Sequence, residues 1–231
     1  HLAAAAREVA ETQSYDLRIP RAIQLDREAY GDAAIDRGHM VRRSETNWGD
    51  TDAEAKRANL DSFHYTNASP QHAGLNRNAD LWLGLEDYIL TNARTFGFRA
   101  NVFTGPVYSD DDPELGTTGA PLPLSFWKVV TMLAEQEMET IRLHATAYVL
   151  SQGHLIQKLL SDRDLVEAAE GFAFGEYKTF QVRIRDLEAM TAYSFGALKD
   201  ADPLERAEVQ EARGLTKKPV LLVNRFEEVA L

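Results

Sequence analysis

The sequence contains no cysteine. Disulfides, thiolate zinc sites and cysteine nucleophiles are excluded together. The compartment is not set by this, since many secreted bacterial proteins also lack cysteine. No apolar run approaches the roughly 20 residues that a membrane-spanning helix needs, so a membrane partner is not expected. Repeats, low-complexity tracts and long linkers are missing as well. Positive charge is in short supply, with 25 Lys and Arg against 36 Asp and Glu and a net charge of -11. Proteins that hold nucleic acid tightly through its phosphates are usually basic. A hydrolase needs turnover more than tight binding, and a metal ion brings its own positive charge to a site. The chain starts at His1 and not at methionine. We read this as a processed or truncated N-terminus from which a signal peptide could have been lost. A secreted or periplasmic bacterial protein is the favoured expectation.

What is present is ordinary for a globular protein: 231 residues, 44% hydrophobic and 26% charged, enough for one large domain or two small ones. The expectation is a single domain over 1–231, with 1–13 a short helix or frayed segment. Residues 14–30 look irregular, with Pro20 as a breaker. A short strand over 33–40 runs into a turn at Gly38. Residues 50–60 have helical composition, and the aromatic, β-branched stretch 63–67 reads as a strand. A turn follows at Ser69-Pro70. Leu81, Leu85 and Ile89 recur every four residues and predict a helix over 79–93. The alternation in 98–103 predicts a strand that ends at Thr104-Gly105-Pro106. The acidic, Gly- and Pro-rich stretch 108–121 reads as a surface loop. Strands are expected at 126–132, 144–150, 177–182 and 219–224, and helices at 154–170 and 183–193. This order lacks a regular βαβ rhythm. It predicts an α+β fold, a mostly antiparallel central sheet flanked by helices.

Three polar clusters could carry chemistry. Asp36-Arg37-Gly38-His39 joins a histidine, whose neutral form can take a proton from water near pH 7, to an arginine that offers forked donors to a phosphate. A lone histidine in a short motif is more often structural. Thr66-Asn67-Ala68-Ser69-Pro70-Gln71, followed by Leu75-Asn76-Arg77-Asn78, crowds polar groups at the mouth of a predicted helix, where Asn and Ser also serve as caps. Glu86 sits within the apolar pattern of that helix. Magnesium prefers oxygen ligands and keeps several waters, so one amide oxygen and one carboxylate acting through water would suffice.

Together these elements resemble the DNA/RNA non-specific endonuclease family, the ββα-metal nucleases that include endonuclease G. The resemblance rests on Asp-Arg-Gly-His at 36–39, Thr-Asn-Ala-Ser-Pro-Gln at 66–71, Leu-Asn-Arg-Asn at 75–78, Leu-Glu-Asp-Tyr at 85–88 and Val-Phe-Thr-Gly-Pro at 102–106. It is specific over about 30–130 and looser through 126–130 and 145–148. It implies a Mg²⁺-dependent endonuclease, with Mn²⁺ or another divalent cation able to substitute. Such an enzyme hydrolyses DNA and RNA to 5′-phosphate and 3′-hydroxyl ends, and a homodimer is compatible with it. His39 would be the general base, Arg37 a phosphate contact, Asn76 the direct metal ligand and Glu86 a holder of metal-bound waters. Asn67 and Asp36 would be supporting residues, Asn67 by fixing the His39 ring or a loop. Arg21, with Arg18 as the alternative, would be the upstream phosphate contact, and Arg42 or Arg43 could touch the substrate backbone.

One spacing departs from the pattern. The family's metal asparagine and helix glutamate stand eight residues apart. Here Asn76 and Glu86 are ten apart, while Asn78 and Glu86 are eight apart. The gap from Gln71 favours Asn76, and Asn78 stays open. Two other functions stay open beside the nuclease: a nucleic-acid-binding protein on the same fold without catalysis, and a metal phosphodiesterase for smaller substrates.

Overall fold

The computed structural model describes residues 13–77, 100–136, 140–153, 179–205 and 220–223. The chain divides into two compact units, His1–Asn76 with Pro113–Leu122, and Arg77–Asp112 with Pro123–Leu231. Each contains antiparallel sheet and helix, so the fold is α+β. No helix among the described residues is long and apolar enough to cross a membrane.

In the first unit, β1 (Ile35–His39) pairs with β2 (Ala68–His72), Ile35 opposite His72 and His39 opposite Ala68. Between them lies α1 (Asp52–Asp61). Its start is encoded locally. Thr51 Oγ1 accepts from the Glu54 amide at 3.2 Å, and the Glu54 carboxylate accepts from the Thr51 amide at 3.0 Å, which satisfies two helix-end donors reciprocally. A second helix, α2 (Ala73–Asn76), follows β2 directly. The junction is pinned by the Ala73 amide donating to Ala34 at 2.8 Å and the Gly74 amide to His72 Nδ1 at 3.0 Å. Strand, strand and helix thus occur in ββα order. Ile35, Met40, Ala55, Phe63, Tyr65 and Leu75 are buried in this unit.

Two local expectations are corrected here. Residues 65–67 form a 3₁₀ turn, not a strand, and Ser69 and Pro70 lie inside β2, not in a turn. The reason is the ladder. Met40 donates to Asn67 and Ala73 to Ala34. The alternation of an antiparallel pair then makes Arg37–Pro70 a non-hydrogen-bonded pair. The missing N–H of Pro70 costs β1 nothing, and among the described residues β2 has no strand on its other side.

The second unit carries β3 (Ala100–Val107), β4 (Ser125–Gln136), β5 (Thr140–Ser151), β6 (Thr179–Val182) and β7 (Val220–Val223), antiparallel in chain order. The strand β3 runs on through Gly105 and Pro106, where a loop was expected. Among the described residues it is an edge strand, so proline is tolerated. A Cβ at Gly105 would meet the Trp127 indole at 3.0 Å, so a larger residue there would need that ring to shift. On one sheet face Trp127, Val129, Ala145, Ala147, Val149 and Val182 pack with Ile184 and Leu187 of α3 (Ile184–Thr191). Lys128, Thr146, Tyr148 and Gln181, which alternate with them, are buried too. Asp202 accepts from the amides of Ile184 at 2.7 Å and Leu204 at 2.9 Å, and burial raises its pKa to about 6. The helices expected over 79–93 and 154–170 lie outside the described residues.

Candidate active site

The strand β1 supplies three of the expected groups. Arg37 and His39 stand two residues apart and so share one face of the ladder, while Asp36 lies on the other. Gly38, between them, is part of the extended strand and not a turn as expected. Its glycine is dictated by a neighbour. A Cβ at Gly38 would meet Gln71 Oε1 at 2.0 Å and Gln71 Cδ at 2.2 Å, so the Gln71 side chain occupies the space above it. Gln71 is fully buried, and neither of its amide atoms has a hydrogen-bond partner.

His39 is enclosed. Its ring meets Phe63 edge-on, with centroids 5.2 Å apart and planes at 90°. Its Nε2 is buried without a hydrogen-bond partner. The Arg43 guanidinium lies 5.6 Å over the same Phe63 ring. Burial, then the charges of Arg43 and Arg37, push the His39 pKa below its ordinary 6.5. A charged imidazole in poorly solvated surroundings beside two cations is disfavoured, so His39 is held neutral at pH 7.

Asn76, on α2, reaches back to β1. Its Nδ2 donates to Asp36 Oδ2 at 2.9 Å. A carboxylate only accepts, so the amide must present its nitrogen to Asp36. The carbonyl oxygen of Asn76 is left for another partner. Asn78 and Glu86 lie outside the described residues.

Asn67 acts on the loop after His39, not on the ring. Its Nδ2 donates to the carbonyls of Val41 and Ser62, each at 2.8 Å, and its Oδ1 accepts from the Val41 amide at 2.9 Å. The side chain copies a strand partner for Val41 and carries the ladder past its last pair. Beyond it, Arg42 opens a 3₁₀ turn and donates its amide to Glu45 Oε2 at 2.9 Å. Arg43, not Arg42, is the arginine that sits against Phe63 beside His39.

Of the two upstream arginines, Arg18 is committed. It forks onto Asp16 at 2.8 and 2.7 Å, which holds that buried carboxyl well below its usual range. Arg21 instead lies 4.8 Å over the ring of Tyr15, whose hydroxyl bonds Asp26 and whose ring meets Tyr65 edge-on at 5.2 Å. Among the described residues its charge is not committed to a carboxylate.

Strands β1 and β2 with α2, in that order, therefore bring a half-buried neutral histidine, an arginine, an aspartate and an anchored asparagine amide onto one small scaffold, and the turn after β1 adds Arg43. A family model described as DNA/RNA non-specific endonuclease matches residues 5–202. The chain belongs to the DNA/RNA non-specific endonuclease family. That family is described as one of nucleases acting on DNA and RNA. The chain is also similar to the uncharacterized protein y4fB of Sinorhizobium fredii, 42% identical over 144 residues that make up 60% of this chain. The match spans about a fifth of that relative, 21% of its length.

Sequence reasoning gave Gln71 and Phe63 no role, yet both shape the His39 strand. Gln71 stood inside the Thr66–Gln71 motif, but its place over Gly38 follows only from the pairing of β1 with β2. Phe63 offered no signal, because its contact with His39 depends on how α1 returns the chain.

Proposed function

We propose that this chain is a Mg²⁺-dependent, sugar-nonspecific endonuclease that cuts DNA and RNA to 5′-phosphate and 3′-hydroxyl ends. The observation that carries the reading is the condition of His39, a half-buried imidazole kept neutral by desolvation and by Arg43 and Arg37. Such a group accepts a proton from water at neutral pH. With Nε2 shut inside the protein, the reading gives proton transfer to Nδ1. Arg37 directs its fork at the scissile phosphate and stabilises the charge that gathers on its oxygens. Arg43 adds positive charge beside the base, and Arg21 contacts the phosphate backbone upstream.

The donor set suits magnesium. A hard cation takes oxygen ligands and retains water. Asn76 offers a carbonyl oxygen, and the Asp36 carboxylate beside it adds negative charge. Asn76 would hold the ion, with Glu86 assigned to its waters. Among the described residues no three His, Asp or Glu side chains form a metal cage, and a site resting on one amide does not require one. When bound, magnesium supplies positive charge to the phosphate and to the leaving 3′ oxygen.

The test is digestion of supercoiled plasmid and of RNA with magnesium, beside a chelator and His39→Ala. The expected result is cleavage that the chelator stops and that His39→Ala lowers by about 10²- to 10⁴-fold, with 5′-phosphate ends on the products. Wild type and His39→Ala equally inert under several metals would end the enzyme reading. Cleavage that survives His39→Ala would leave the activity and remove the mechanism.

A further inference from the structure

We infer that Trp48 is a stacking platform for an unpaired nucleobase of the bound strand. The inference rests on the nuclease reading and adds a binding determinant to it.

Trp48 is 74% exposed, and its backbone amide donates to the Thr46 carbonyl at 2.8 Å. Exposure of an indole is costly, and here the backbone on both sides is fixed. Asn47 Oδ1 accepts from Nδ2 of Asn59 at 2.7 Å, and Asn59 is fully buried on α1. Gly49 lies so close to the first turn of α1 that a Cβ there would meet Glu54 Cβ at 2.7 Å. Upstream, Thr46 Oγ1 donates to the Arg43 carbonyl at 2.9 Å, and the Glu45 amide to that of Arg42 at 2.9 Å. The loop is tied down at each step while the ring stands in solvent.

The root of this loop is Arg42 and Arg43, and Arg43 shares the Phe63 ring with His39. A cationic root at the reacting phosphate and an aromatic tip beyond it are the two parts from which single-strand binding surfaces are built. The net charge of -11 strengthens the case. An acidic chain gains little from long-range phosphate attraction, and stacking supplies binding that salt does not screen. A paired base inside a duplex is already stacked on both sides. An indole can cover only an unpaired or frayed base, so the occupant is single-stranded.

The experiment uses the full chain with His39→Ala, so that substrate survives. Binding of a short fluorescent single strand and of its blunt duplex is measured across a salt series. Trp48→Ala should weaken single-strand binding about tenfold, with duplex affinity and the salt slope nearly unchanged. Trp48→Phe should keep most of the affinity, and Trp48→Leu, similar in bulk but without a ring, should not. Equal single-strand binding by parent and Trp48→Ala would overturn the inference and leave the nuclease reading intact. So would an equal loss on strand and duplex. If the parent bound neither nucleic acid, the inference would fall together with the nuclease reading.

Discussion

Asp36 holds Asn76 by the amide nitrogen, 2.9 Å from Oδ2, across forty positions of sequence. The bond fixes which end of the amide is offered outward. Removing it should loosen the metal ligand without deleting it. Asp36→Ala should raise the magnesium concentration needed for half-maximal plasmid cleavage about 10- to 100-fold, with activity returning at high magnesium. Asn76→Ala should not be rescued in this way. An unchanged magnesium requirement in Asp36→Ala would show that the Asn76 oxygen needs no such anchor.

The acid limb of kcat/KM reports the free enzyme's base. Burial, Arg43 and Arg37 lower the His39 pKa, so the limb should fall below pH 6.5. Arg43→Gln removes one cation and should move the limb upward, towards 6.5; a downward move would contradict the placement of Arg43 beside the base. The stability sign follows. The folded protein binds this proton less readily than the unfolded chain. The stability tied to neutral His39 is therefore complete above about pH 6.5 and lost as the pH falls through the folded pKa.

Gly38→Ala sets a methyl group against Gln71, whose Oε1 lies 2.0 Å from that position. Gln71 is fully buried, with little room to yield. The cost should be about 1–3 kcal/mol in urea unfolding. In a Gln71→Ala background the same change should cost far less. Additive effects of the two substitutions would mean that some other group enforces the glycine.

Asn67 satisfies an amide and two carbonyls of the backbone. Asn67→Ala leaves them unmet and should cost on the order of 2 kcal/mol. Asn67→Asp should be worse than alanine, because it points a carboxylate at two carbonyl oxygens. Denaturation midpoints for the pair decide it, and the opposite order would mean that Asn67 acts mainly through packing.

How much of this was legible follows from the range of each signal. The helix at 52–61 announced itself through the Thr51 and Glu54 cap, and the strands of the large sheet through apolar alternation. Ser69 and Pro70 read as a turn because proline's effect depends on which side of the ladder its nitrogen faces, and that is set by residues more than thirty positions upstream. Gly38 read as a turn for the same reason, since its constraint is the Gln71 side chain. Asp36 was marked as a supporting residue, but its partner emerged only once α2 was placed behind β2. Arg42 and Arg43 are neighbours in sequence, and the 3₁₀ turn beginning between them determines which one reaches Phe63.

The contacts that build the candidate site all join distant stretches: His39 with Phe63, Val41 with Asn67, Asp36 with Asn76. The longest ladder of the large sheet, by contrast, begins with Gln136 facing Thr140. Closing a long loop costs more chain entropy than zipping a local hairpin. During refolding, therefore, most sheet signal should return before any catalytic competence. A brief pulse of protease in that interval would destroy molecules that already look folded by circular dichroism but cannot yet cut a phosphodiester.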